Sequence, residues 1–277
     1  MSWWEIFEVG LIQRAFLAAI MIGFMNGFVS AFVVLHRSPL KLGALSHSVF
    51  PGIAVAVMLV GFLTAGIYIG ALLATSLVGL GAVFFARRAA VEEETVLAVL
   101  MTGAFAGGVI LLTNYEGTGS LEDWLFGNIV GLSDADLWMS FSVGTLAVLA
   151  LSLLRRPILA TLFEPEVAYT LGVRTGPLSY FLFGLLILVL VTTLQAVGAV
   201  LALGLIVTPA ATVRQVVGSV RGLFFWSGIV GAFGTGLGFV GAIVFDQPIG
   251  ASMVLTMTIL FLFSLLIRRF LPREGDA

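Results

Sequence analysis

The sequence predicts an all-α polytopic membrane protein with eight to nine transmembrane helices, and its composition and hydrophobic runs lead to that class. The chain has 277 residues, of which 60% are hydrophobic and 10% are charged. Soluble domains carry roughly 25% charged residues, so this chain is unsuited to a surface that faces water on all sides. Several apolar runs are long enough to cross a bilayer as helices, and they lack the alternating pattern of barrel strands.

Eight apolar runs define the predicted helices. They cover residues 11–35, 44–60, 64–86, 95–113, 136–154, 178–213, 223–245 and 250–270. As one helix, the run 178–213 would measure about 54 Å against a hydrocarbon core of about 30 Å, so we expect it to cross twice. Gln195 and Gly198 mark the expected bend, which brings the number of crossings to nine. An arrangement of eight helices with one segment only half-inserted stays open.

The distribution of charge predicts the orientation in the cell membrane. With nine crossings, all basic residues except Arg14 fall on one side, whereas the loop from Asn114 to Ala135 contains acidic residues and no basic one. Because cytoplasmic loops carry an excess of Lys and Arg, we expect a cytoplasmic C-terminus and an N-terminus on the outside. No linker or internal repeat divides the chain, so residues 1–277 are expected to form a single transmembrane domain.

The sequence excludes several function classes. It contains no cysteine, which removes thiolate metal sites and cysteine nucleophiles. It lacks the phosphate-binding loop of ATPases and the common hydrolase motifs, so the chain is not expected to be an enzyme or to hold a cofactor stably. The sequence has no basic stripe, so a nucleic-acid partner is not expected. We expect the chain to be surrounded by membrane lipid.

His47 is the strongest candidate for a functional side chain. It lies in a short polar patch, Ser46-His47-Ser48, at the start of an apolar helix. An ionisable group inside a membrane is costly, and by default it marks a substrate pathway. A neutral imidazole can bind a divalent transition metal while Ser46 or a carbonyl group holds its other nitrogen. The simpler alternative, a histidine that only bonds to a neighbouring helix, stays open.

Five motifs along the chain are similar, in the same order, to those of a known family. They are Leu45-Ser46-His47-Ser48-Val49-Phe50-Pro51-Gly52, Leu125-Phe126-Gly127-Asn128-Ile129, Glu164-Pro165-Glu166 with Leu171-Gly172-Val173, Thr208-Pro209-Ala210-Ala211-Thr212, and Asp246-Gln247-Pro248-Ile249-Gly250-Ala251. Through them the sequence resembles the membrane permease subunits of ABC importers for manganese, zinc and ferrous iron. The resemblance covers nearly the whole chain.

This resemblance implies a homodimeric permease served by two cytoplasmic ATPase subunits and an extracytoplasmic metal-binding protein. ATP would be used by the partner subunits, and the cargo would be a divalent metal that meets His47, and with it Ser46, only in transit. A short cytoplasmic helix would couple ATP hydrolysis to the pore, and the segment from Thr212 to Arg221 occupies the expected place. Its candidate contacts are Thr212, Arg214, Gln215 and Arg221. An ordinary connecting loop is the alternative for this segment, and residues 164–173 form a second cytoplasmic surface.

One position departs from the family pattern. Family members typically carry an aspartate four residues before the histidine, where the two side chains share a helix face, but this chain has Gly43. Imidazole suits zinc, whereas carboxylate suits manganese, so the change is expected to weaken the preference for manganese relative to zinc. A permease for a metal chelate is therefore an alternative. A secondary transporter driven by an ion gradient is another, although embedded acidic residues and inverted repeats are not visible.

Overall fold

The computed structural model describes residues 10–36, 45–61, 63–113 and 127–270, and within these ranges it contains helices and no strand. We number the helices in chain order. They are α1 (Gly10–Leu35), α2 (Phe50–Val60), α3 (Thr64–Ala89), α4 (Glu93–Thr113), α5 (Asp134–Leu153), α6 (Arg155–Phe163), α7 (Pro165–Thr170), α8 (Thr175–Val197), α9 (Ala199–Val213), α10 (Val220–Phe245) and α11 (Ile249–Phe270).

The helices confirm the predicted class of an all-α membrane protein. Seven of the described helices are long and apolar enough to span a membrane. Two shorter apolar stretches are Leu45–Val60, which ends with α2, and Leu201–Val213, which lies within α9. Each apolar run of the sequence corresponds to one helix, except the run 178–213, which forms two. This agreement follows from the bilayer, which requires a continuous apolar segment of a set length for every crossing.

The long run 178–213 is broken where the sequence predicts the bend. Helix α8 ends at Val197 and α9 begins at Ala199, and the intervening Gly198 has a φ of 88°. An L-residue with a side chain rarely adopts this backbone conformation, so glycine is required at the break. The run therefore forms two helices instead of one helix too long for the bilayer.

The described residues form two compact units. One combines α1 with residues 204–270, and the other comprises residues 45–203. The boundary falls inside α9, so the unit containing α1 holds only the part of α9 from Gly204 onwards. Each unit is described separately below.

In the first unit, glycines allow α1 and α10 to pack backbone against backbone. A Cβ atom at Gly27 would overlap the carbonyl of Ser227, and one at Gly231 would overlap the carbonyl oxygen of Gly23. Thr235 on α10 donates a hydrogen bond to Ala19 O at 3.0 Å. Small residues at such interfaces let membrane helices approach closely and gain van der Waals contact.

In the second unit, the same principle fixes α2 against α3 and α4. A Cβ atom at Gly52 on α2 would overlap the carbonyl oxygen of Gly70 on α3. A Cβ atom at Gly108 on α4 would lie 2.7 Å from Pro51 N and 2.8 Å from the carbonyl carbon of Phe50. The start of α2, which directly follows the turn that carries His47, is thus held tightly between two other helices.

Replacing Gly231 with alanine is expected to destabilise the fold, because its methyl group would force α1 and α10 apart. Overpacking of this kind costs about 1–3 kcal/mol. Gly241→Ala is a matched control on the same helix, since a Cβ there has no described atom within 4 Å. The thermal unfolding of both purified variants in detergent measures the difference. Equal melting temperatures would contradict the close packing.

Candidate metal pathway

His47 lies in the helical turn of residues 45–48, directly before α2. Pro51 occupies the first turn of α2, where its missing N–H leaves no helical bond unmade. The imidazole ring is half-buried and meets the edge of the Phe105 ring, with the centroids 5.3 Å apart and the planes at 78°. The phenyl ring of Phe50 meets the same Phe105 ring at 5.1 Å. Two aromatic contacts therefore define the position of this turn against α4.

The Nδ1 atom of His47 is buried and has no hydrogen-bond partner among the described residues. A buried polar atom without a partner is uncommon in a folded protein, because it gives up its bonds to water and gains nothing in return. In a neutral imidazole, such a nitrogen can offer its lone pair to a metal ion. The unpartnered Nδ1 atom suits the predicted contact of His47 with a metal, which stays a prediction.

The other predicted ligand, Ser46, is almost completely buried in the same turn. It interacts with other groups, and its predicted bond to the imidazole nitrogen that does not face the metal stays a prediction. The neighbouring Ser48 donates its hydroxyl to Leu45 O at 2.7 Å. Gly43, where the family pattern has aspartate, lies outside the described residues.

A complete metal site does not form within the described part of the chain. No three residues among its His, Asp and Glu side chains come together in a group that could hold a metal ion. A stable site needs several ligands, typically four for zinc and six to eight oxygens for a hard cation. The predicted transient contact of His47 with an ion stays a prediction.

Hydrogen bonds join α3 to α5 and α8 within the second unit. They lie at the end of α3 opposite to Arg87 and Arg88. Tyr68 on α3 donates its hydroxyl to Gln195 Oε1 on α8 at 3.2 Å. One turn earlier, Thr64 donates its hydroxyl to the carboxylate of Asp136 on α5 at 2.9 Å. Gln195 therefore bonds between helices, which is the commoner role of an amide side chain in a membrane.

The segment that precedes α5 covers the break between α8 and α9. Asn128 donates its backbone N–H to Gln195 O at 3.4 Å. Gly127, with a φ of 76°, lies so close to the backbone of Val197 that a Cβ atom would overlap it. The last carbonyl groups of a helix have no hydrogen-bond donor within that helix. The N–H of Asn128 therefore provides the donor that the carbonyl of Gln195 lacks because α8 ends at the break. Leu125 and Phe126 of the same motif lie outside the described residues.

The predicted coupling segment from Thr212 to Arg221 is mainly a turn. Thr212 belongs to the last turn of α9, residues 214–219 are not helical, and Arg221 lies in the first turn of α10. Ser219 caps α10 by accepting the N–H of Gly222 at 3.2 Å, and a serine cap together with Gly218 leaves too few residues for a separate helix. The expectation of a short helix here is therefore wrong. Arg214 and Arg221 are exposed.

Two short helices instead occupy the connection between α5 and α8, on the side that the charge pattern predicts to be cytoplasmic. They are α6 and α7, and the turn after α7 has a φ of 77° at Gly172. Large apolar side chains are exposed here, with Tyr169 at 78% and Leu171 at 71%. Exposed apolar residues outside the lipid commonly mark a surface for another protein.

The chain as a whole matches a recognised family of transport proteins. The sequence profile described as the ABC 3 transport family matches residues 8–268. The chain belongs to the ABC 3 transport family. This confirms the resemblance found in the sequence. In such transporters the membrane subunit is not an enzyme, and ATP is hydrolysed by a separate chain.

Relatives within the ABC 3 family match over nearly their full length. The "Manganese transport system membrane protein MntC" of Halalkalibacterium halodurans is 31% identical over 98% of this chain and 91% of the relative. The "Chelated iron transport system membrane protein YfeD" of Yersinia pestis is 27% identical over 97% of this chain and 89% of the relative. A solved structure titled "PsaBC from Streptococcus pneumoniae in complex with Fab" has a TM-score of 0.89, 29% identity and 97% coverage of both chains.

Replacing Tyr68 with phenylalanine is expected to loosen the contact between α3 and α8, because it removes only the hydroxyl that reaches Gln195. Interhelical hydrogen bonds in membranes contribute about 0.6 kcal/mol on average and up to about 1.7 kcal/mol. Tyr180→Phe serves as control, since that side chain is exposed. Thermal unfolding in detergent measures both variants. A Tyr68→Phe variant as stable as Tyr180→Phe would show that the bond adds nothing.

Proposed function

We propose that this chain is the membrane-spanning subunit of an ABC importer that carries a divalent transition metal into the cell, with Mn²⁺ as its first cargo and Zn²⁺ as the alternative. The observation that supports this cargo is His47 Nδ1, a buried metal donor without a partner among the described residues, in a member of a transport family. Manganese is favoured by the name of MntC. The lone imidazole and Gly43 favour zinc.

A second copy of the chain completes this proposal. The described part of one chain offers His47 but no cluster of further acidic or histidine ligands. In a homodimer with the path between the two copies, a second His47 would face the first, and water or main-chain carbonyls could supply the remaining ligands. Such a site binds weakly enough to release its ion, which conduction requires.

The partners follow from the same proposal. An extracytoplasmic binding protein delivers the metal, and two ATPase subunits bind on the cytoplasmic side of the cell membrane, where the positive-inside tendency also puts the C-terminus. We assign the main ATPase contact to α7 and the turn that follows it, because Tyr169 and Leu171 expose apolar surface there. The turn containing Arg214 and Gln215 and the nearby Thr212 and Arg221 form the second candidate contact.

Replacing His47 with alanine is expected to abolish metal uptake, because no described side chain can replace its nitrogen. The permease is expressed with its ATPase and binding protein in cells without their own high-affinity importers, and cellular Mn²⁺ and Zn²⁺ are measured. His36→Ala is the matched control, since the chain has 2 histidines and the ring of His36 stacks on Phe32 in α1. An ATPase subunit that cannot hydrolyse ATP gives the background.

The two metals give separate outcomes. Accumulation of one metal that disappears with His47→Ala and persists with His36→Ala supports both the cargo and the pathway residue. Unchanged uptake by His47→Ala would remove His47 from the pathway. Uptake of neither metal by the assembled wild-type complex would contradict the cargo and leave the chelate as the one to test.

Replacing Tyr169 and Leu171 together with serine is expected to weaken ATPase binding, because the change removes two exposed apolar side chains at a small cost to the fold. Truncating a residue that dominates an interface costs about 2 kcal/mol or more, which corresponds to a loss of affinity of roughly 30-fold. Recovery of the ATPase with the tagged permease measures the effect. Arg214→Ala with Arg221→Ala is the comparison variant, and a loss of binding confined to that variant would move the contact to the turn.

A further inference from the structure

Helix α9 contains a proline in a position that breaks its hydrogen-bond ladder. Pro209 lies inside the helix that runs from Ala199 to Val213. It has no N–H, so the carbonyl of Leu205 loses the donor that an α-helix would provide. Water is absent from the bilayer core, and a proline in a membrane helix is tolerated where neighbouring side chains satisfy the affected backbone groups.

Ser30 on α1 reaches this break from another helix. It is fully buried, its hydroxyl donates to Val207 O at 3.0 Å, and the same oxygen accepts the backbone N–H of Ala210 at 3.0 Å. The two bonds lie on opposite sides of Pro209 in the sequence. One hydroxyl thus bridges the two halves of α9 and ties both to α1.

The half of α9 after the proline is also held at its end. Gln215, in the turn after α9, donates its amide to Ala211 O at 3.2 Å. Its Oε1 atom accepts a hydrogen bond from Arg268 Nη1 on α11 at 2.5 Å. The segment from Ala210 to Gln215 is therefore fixed between α1 at the break and α11 at its far end, all within one compact unit.

We infer that Ser30 is a positioning residue for transport, which holds α9 at its proline break so that movement of α1 reaches the turn of residues 214–219. A helix opened at proline can bend there, since the break removes part of its ladder. The Ser30 hydroxyl determines the bend because it bonds on both sides. This inference rests on the proposed transport function and adds a residue that transmits movement without touching the metal.

Thr235 provides a matched control. Like Ser30, it is buried and its hydroxyl bonds to a main-chain carbonyl across an interface between α1 and another helix, here Ala19 O. It also bonds to Gly231 O of its own helix, whose ladder contains no proline. Thr235→Val and Ser30→Ala therefore both remove a buried hydroxyl at an α1 interface, but only the second releases a broken helix.

The test uses the complete complex of permease and ATPase in liposomes together with the binding protein, with Mn²⁺ uptake and ATP hydrolysis measured together. Ser30→Ala is expected to lower the Mn²⁺ taken up per ATP hydrolysed by about threefold or more, in the range reported for mutations between coupled sites. Thr235→Val is expected to leave that ratio unchanged. A purely structural role for Ser30 would lower the yield or melting temperature of the complex without altering the ratio.

The same substitution in a Pro209→Ala background isolates the mechanism. Alanine restores the N–H at residue 209, which can bond to the carbonyl of Leu205 and join the two halves of α9 without Ser30. Ser30→Ala is then expected to leave the ratio of Pro209→Ala unchanged, and this non-additivity is the mark of residues acting through one feature. An equal fall in both backgrounds, or a fall with Thr235→Val, would overturn the inference.

Amide hydrogen exchange in peptides covering residues 205–213 separates this inference from the cargo proposal. Ser30→Ala is expected to increase exchange there, and Ser30→Ala in the Pro209→Ala background is expected to show no increase over Pro209→Ala alone. If the wild-type complex takes up no Mn²⁺, the cargo proposal is wrong, and the exchange data alone test the positioning role of Ser30. Unchanged exchange in Ser30→Ala would overturn its positioning role whatever the cargo.

Discussion

The structure depends on one constraint, that every backbone polar group in the bilayer needs a partner within the protein. The constraint is most severe in the apolar run that becomes α8 and α9, which is interrupted at Gly198 and again at Pro209. At the first break the N–H of Asn128 reaches a carbonyl of α8, and at the second the hydroxyl of Ser30 bonds on both sides of the proline. Polar groups from distant parts of the sequence thus make an irregular membrane helix possible.

Most of the fold could be predicted from the sequence, because the bilayer imposes length and apolar character on each crossing. The break near Gln195 and Gly198 was predictable for the same reason, since one helix of that length would not fit. The contacts of Ser30 were not, because a lone serine in an apolar run gives no sign of which helix lies beside it. The sequence predicted a helix where residues 214–219 form a turn. The start of α10 depends on the cap that Ser219 provides, and that cap is seen only in the structure.

The sequence indicates His47 as the candidate residue but not the surroundings of its side chain. An intramembrane histidine is rare and indicates function by its cost alone, and the motif around His47 indicated the family that the chain belongs to. The aromatic contact with Phe105 and the unpartnered Nδ1 atom depend on how α4 packs against the start of α2. That packing depends on the absence of a side chain at Gly108, and the sequence does not show which helix comes close there.

The two breaks in the run of α8 and α9 also bear on how the protein is made. Chains emerge from the ribosome with the N-terminus first, and both partners, Asn128 and Ser30, precede the breaks that they serve. Each partner has therefore been synthesised before the backbone groups that need it leave the ribosome. The costly interruptions come late in the chain, when the groups that satisfy them already exist, so the order of synthesis favours correct insertion.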